Sequence, residues 1–205
     1  MGAPTFYYSY IVGLYENIII NEIMYNPSNE DANEFVELYN QGTYAIDLNG
    51  WIIGDFNDND TLEAWEGSST LISAGGYAVV VDRNCNLSLS GVVLTTDDYA
   101  IGDGLCNLKG DMIRLYKDSH TLVDFVVYND SSPWPRPEDN YSIELLDPSY
   151  DNNVGSNWAI SSQLGGTPGQ PNVPALAEGV PALYIVSSLV ILAFLLLYKD
   201  RKSGN

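Results

Sequence analysis

The chain has 205 residues, with 27 Asp and Glu against eight Lys and Arg, a formal net charge of −19 at pH 7. All but one of the acids and all but three of the bases precede residue 180. Such a surface repels phosphates at long range, which argues against nucleic-acid binding. The acids are spread along the chain, as solvated surface rather than a binding tail.

In chain order, residues 1–16 come first. They hold an apolar run, Phe6 to Leu14, with no Lys or Arg ahead of it. A signal peptide would carry that basic region. The segment therefore reads either as the remnant of a signal or as a first strand. From residue 17 the pattern is short alternating runs separated by turn residues: IIINEIMY, NEFVELYN, IDLNGWIIGD, GGYAVVVD, GVVLTT, DMIRLYKD, TLVDFVVY and YSIELLD. Enrichment in Val, Ile, Tyr and Phe predicts strands. No sustained helical period appears before residue 178. Regular short strands predict an all-β sandwich or barrel, one domain with its own core.

Several residues carry candidate chemistry. In DFNDNDTLEAWE, Asp55, Asn57 and Asn59 have calcium-loop spacing and Glu66 stands at the twelfth place. Against calcium, Asp60 stands where such a loop needs Gly, and the preceding residues read as strand rather than helix. Cys85 and Cys106 lie in similar settings, RNCNLS and GLCNLK, and their spacing predicts one disulfide, hence an oxidising compartment. His120, the only histidine, falls in a predicted hairpin turn, a poor place for a catalytic base. In the Pro-rich loop NDSSPWPRPEDN, Trp134 either meets a partner or folds back over the sandwich edge; Trp65 has the same two readings. Asn59, Asn86, Asn129 and Asn140 begin N-x-S/T sequons.

Residues 173–179 read as a short linker, and Val180 to Tyr198 carry no charge. As a helix that run spans about 28 Å, close to the hydrocarbon thickness of a bilayer. Lys199, Arg201 and Lys202 follow, so a transmembrane helix with residues 199–205 in the cytoplasm and the domain outside is expected. A tail-anchored topology, with the domain in the cytosol, is the competing arrangement.

Taken together, IIINEIMYNP, NEFVELYN, IDLNGWIIGD, GDMIRLYKDSHTLVDFVVY and NWAISSQLGGTPGQPN occur in an order that resembles a lamin-tail domain, over residues 17–172. The resemblance implies an immunoglobulin-like β-sandwich with Trp51 and Trp158 as core aromatics, a type II turn at Pro168-Gly169, and Asn21 and Glu22 hydrogen-bonding across a strand end. It implies an interaction module, of the kind found on bacterial and archaeal surface proteins, with no shared catalytic set. The tail is similar to prokaryotic C-terminal sorting signals, which implies either plain anchoring or cleavage before the span. No enzymatic activity and no cofactor is expected, calcium at the acidic loop being the one alternative. The expected partners are the membrane, through the C-terminal helix, and a surface protein or polysaccharide. The rival readings are a surface-layer or filament subunit and a surface hydrolase using loop carboxylates.

Overall fold

The computed structural model describes residues 17–29 and 32–175. Thirteen strands form there: β1 (Ile18–Met24), β2 (Phe35–Asn40), β3 (Ile46–Asp47), β4 (Ile52–Gly54), β5 (Asn59–Thr61), β6 (Glu63–Ala64), β7 (Leu71–Ile72), β8 (Tyr77–Val81), β9 (Val92–Thr95), β10 (Asp111–Asp118), β11 (Thr121–Tyr128), β12 (Ile143–Leu145) and β13 (Trp158–Ile160). The only helical pieces among the described residues are two single 3-10 turns, Trp65–Gly67 and Gly155–Asn157. None of these is long and apolar enough to cross a membrane. The predicted span, residues 180–198, lies outside the described residues, as do residues 1–16.

The strands make an all-β, immunoglobulin-like sandwich. A seven-stranded sheet runs β13-β12-β1-β2-β8-β9-β6, a four-stranded sheet runs β11-β10-β4-β5, and β3 pairs with β7 alone. Every pairing is antiparallel except β8 with β9. The core lies between the two sheets. Ile20, Ile23, Val36, Leu38, Val80 and Leu94 from the large sheet meet Ile53, Ile113, Leu115, Val126 and Tyr128 from the small one. Trp51 and Trp158 are buried in it, as the resemblance implied. Each large side chain buried there removes enough apolar surface from water to contribute roughly 1.5–3 kcal/mol.

One irregularity decides the chemistry of the large sheet. The register of β1 against β2 runs Ile20↔Leu38 and then Glu22↔Glu37, leaving Asn21 as a bulge. Strict alternation from Ile18 and Ile20 would point Glu22 into the core. The extra residue turns Glu22 to the outer face and returns Ile23 to the core opposite Val36. The backbone groups beside the bulge are satisfied across the sandwich. Ile20 N–H donates to Asp124 Oδ2 on β11 (2.7 Å), and Ile20 C=O accepts from Asn152 Nδ2 (3.0 Å). Asn152 also donates to Asp124 Oδ2 (2.7 Å), and burial pushes the Asp124 carboxyl up to about 6.

Candidate functional site

The bulge lines up three carboxylates. Glu22 lies opposite Glu144 on β12 and Glu37 on β2, so the three form a row across the outer face of the seven-stranded sheet. All three are fully buried. The cover is an uncharged strap, residues 161–175, which follows β13 and doubles back along the sheet edge through a Ser161↔Pro174 bridge and an Ala175 N–H bond to Ile160 C=O.

The strap is tied down on the row. Glu22 Oε1 accepts from Ser142 Oγ (2.6 Å) and from Thr167 N–H (2.8 Å). Thr167 Oγ1 lies 3.1 Å from Glu22 Oε2 and 2.9 Å from Glu144 Oε1. Glu37 accepts from Asn21 Nδ2 (2.8 Å) and from Gly169 N–H (2.7 Å). Asn172 Nδ2 donates to the backbone oxygens of Asn21 and Leu145, at 3.0 and 2.9 Å. Two geometric requirements hold the strap in this path. Gln170 N–H closes on Thr167 C=O with Gly169 at φ 80, the type II turn expected at Pro168-Gly169. Gly166 has φ 73, and a Cβ there would stand 2.1 Å from Glu22 Oε1.

Burial dominates the electrostatics of the row. It pushes Glu22 up to about 7 and Glu37 up to about 8, with the charge of Glu22 adding to the rise at Glu37. Glu144 is raised for the same reason. Glu144 Oε2 and Asn21 Oδ1 are buried without a hydrogen-bond partner.

A second set of carboxylates holds the loop between β9 and β10. Five backbone N–H groups between residues 101 and 106 meet separate acids: Ile101 meets Asp82, Gly102 meets Asp60 (2.5 Å), Asp103 meets Asp55 (3.0 Å), Leu105 meets Glu34 (2.8 Å) and Cys106 meets Asp111 (3.0 Å), while Gly104 N–H donates to Ile101 C=O. Burial pushes Asp60 and Asp82 up to about 7 each. These acids act as acceptors for backbone donors that the irregular loop leaves without a ladder partner. The β4–β5 turn joins the same end through Asn57 Nδ2 to Asp103 Oδ1 (2.9 Å). Phe56 and Tyr99 stand out from it, 58% and 75% exposed.

The four calcium-loop candidates, Asp55, Asn57, Asn59 and Glu66, fall on different local elements. Asp55 accepts the N–H groups of Asn57 (2.6 Å), Asp58 (2.8 Å) and Asp103 (3.0 Å), which makes it the cap of a four-residue hairpin turn. Asn59 begins β5, and Glu66 sits beyond β6 in a 3-10 turn at φ 48. Among the described residues no three His, Cys, Asp or Glu side chains converge to hold a metal ion.

The disulfide is corrected: Cys85 and Cys106 are both free thiols. Cys85 packs with the apolar cluster on the outer face of the large sheet, and its Sγ accepts from Leu87 N–H (3.4 Å). Cys106 is held by its backbone instead, its N–H on Asp111 and its C=O accepting from Tyr128 Oη (3.3 Å). Similar flanking sequence placed the two residues in different packing environments.

Of the two aromatics with two open readings, Trp134 folds back. It is buried, 6.0 Å from the Trp158 ring, over Gly155, whose Cβ would stand 2.7 Å from the indole. Trp65 is half-buried and closes the outer apolar cluster. His120 is exposed at the tip of the β10–β11 hairpin, its Nδ1 2.7 Å from Ser119 Oγ. Among the sequons, Asn140 is held on Ser28 through both ends of its amide, and Asn129 Oδ1 accepts from Ser131. Asn59 and Asn86 are exposed.

Residue types alone give no sign of the carboxylate row. Glu22, Glu37 and Glu144 each sit in an alternating strand where a polar residue ordinarily faces water. The signal that identifies them is the Asn-Glu pair interrupting the period of IIINEIM, together with an uncharged Gly/Pro-rich segment long enough to cover that face.

A comparison with curated proteins returns no match. The family model of the Lamin Tail Domain matches residues 14–130, more than half of the chain. The matched stretch contains the Asn21 bulge, Glu22 and Glu37, and both hairpins of the four-stranded sheet; β12, β13 and the strap follow it. Four of the five motifs fall inside the match and NWAISSQLGGTPGQPN lies beyond it; the chain belongs to the lamin tail domain family.

Proposed function

We propose that this is a lamin-tail module of a bacterial or archaeal cell surface, displayed outside the membrane by a span at residues 180–198, with residues 199–205 in the cytoplasm. It acts by binding or as a structural element, without catalysis. The observation that carries this reading is the order of parts: a family sandwich, then a short linker, then 19 uncharged residues ending in a basic cluster. The acidic exterior supports a surface role through solubility and repulsion of anions. The commitment of Asp55, Asp60 and Asp82 to backbone N–H groups supports binding over hydrolysis by loop carboxylates, since a glycosidase pair must flank its substrate. The place to seek a surface protein or polysaccharide is the end carrying Phe56 and Tyr99, where exposed aromatics offer a stacking surface.

The test is labelling of the full chain in intact cells with a membrane-impermeant amine reagent. Lys109, which is exposed on the sandwich, is expected to label in intact cells, and Lys199 and Lys202 only after permeabilisation. Labelling of Lys109 only after permeabilisation would place the domain in the cytosol and overturn the reading.

A further inference from the structure

We propose that the row of Glu22, Glu37 and Glu144 is a proton-operated latch: the strap of residues 161–175 stays docked while the row retains a proton, and undocks once all three carboxylates are ionised.

The count of hydrogens carries the argument. Thr167 Oγ1 has one proton and two carboxylate oxygens within hydrogen-bond distance, Glu22 Oε2 and Glu144 Oε1. If both carboxylates are ionised, one of those contacts is oxygen against oxygen with nothing between them. A proton on Glu22 Oε2 resolves it: Glu22 donates to Thr167, and Thr167 donates to Glu144. The remaining donors do not supply the missing hydrogen. Ser142 Oγ and Thr167 N–H are committed to Glu22 Oε1, and Asn21 Nδ2 and Gly169 N–H to Glu37. Ser161 and the Val173 amide face Glu144, yet Glu144 Oε2 stays without a partner.

Among the described residues no cation offsets the charge. The groups facing the row are Glu22 on β1, Glu37 on β2, Glu144 on β12 and the phenol of Tyr77 on β8, and the strap itself contains no ionisable side chain. Three adjacent buried carboxylates cannot all ionise in place without a large desolvation and repulsion cost. Undocking the strap returns them to water. The sheet beneath does not depend on the strap, because β1, β2 and β12 are held by their own ladders and by the core. Docking and protonation are therefore linked. If the C-terminal segment anchors the chain, as proposed above, release of these 15 residues lengthens the tether by up to about 50 Å.

The test is hydrogen exchange of the full chain in detergent micelles from pH 5.5 to 9, corrected for intrinsic rates. Protection of peptides covering 161–175 is expected to fall about tenfold or more between pH 6 and 9, while peptides from β1 and β2 keep theirs. Glu22→Gln places an amide where the protonated carboxyl stands and is expected to hold the strap protected across the whole range. Thr167→Val is expected to loosen it at every pH. Strap protection independent of pH in the native chain would overturn the latch, as would strap and sheet losing protection together, or Glu22→Gln behaving as the native chain at pH 9. None of these readouts depends on which side of a membrane the domain lies.

Discussion

The outer face of the seven-stranded sheet is covered twice, by two different kinds of contact. Over one half, Met24, Phe35, Val79, Val81 and Val93 pack beneath Trp65, Cys85, Leu87 and Leu89. Over the other half, Glu22, Glu37 and Glu144 meet the hydrogen-bond donors of an uncharged strap. The halves abut, since Glu37 pairs with Val79 across the β2–β8 ladder. Apolar burial needs no partner of defined geometry and no protonation state. The acidic half needs both, because buried carboxylates are tolerated only when neutralised and bonded. One cover is thus insensitive to pH and the other is set by it.

The largest break in that comparison comes from the apolar half. Met24 is buried, and Met24→Ala is expected to cost about 2–5 kcal/mol, with the same loss at pH 5.5 and pH 8.5, read by denaturant unfolding.

Next is the pH profile of the native chain. Glu22, Glu37, Asp60, Asp82 and Asp124 all have folded values raised above those of an unfolded chain. A raised carboxyl contributes stability that is complete below about pH 4 and is lost as pH climbs through the folded value. Across about pH 4.5 to 8 the native state binds more protons than the unfolded one. Stability is therefore expected to fall over that window by several kcal/mol, giving a higher Tm at pH 5.5 than at pH 8.5. The double variant Glu22→Gln with Glu37→Gln is expected to remove somewhat under half of the slope, Asp60, Asp82 and Asp124 carrying the rest, and a slope unchanged in it would place the titrating groups elsewhere.

Gly166→Ala sharpens the acidic side. It forces a side chain into a left-handed backbone and against Glu22, at an expected cost of about 2 kcal/mol, with exchange rising first in the strap. The smallest effect is expected from Leu87→Ala, a half-buried cover residue: about 1 kcal/mol, with no change in the pH profile.

Much of the fold was legible in the residues. The alternation of DMIRLYKD and TLVDFVVY around a polar turn is a hairpin by pattern alone, and the structure places β10 and β11 there with His120 at the tip. Pro168-Gly169 reads as a type II turn because Pro presets φ and Gly accepts the positive φ that follows. The short strands β5, β6, β7 and β13 were not legible, since two or three residues show no period. The acidic stretch after β4 carries calcium-like spacing, but Asp55 and Asp60 turn inward to backbone N–H groups. Spacing does not report which way an Asp points. The cysteines misled for a related reason, because equal flanking residues say nothing about which side of a sheet each one meets.

What the sequence determined by itself was the class: an acidic β-sandwich of lamin-tail type, readable because local propensity and period-2 patterning are properties of neighbouring residues. What only the tertiary structure decided was the use of its acids. One bulged residue, Asn21, sends Glu22 to the far face, and a strap more than 140 residues further along the chain closes over it. Whether a carboxylate is solvated or buried depends on what the chain brings to cover it, and that cover is set by long-range packing rather than by the residues on either side.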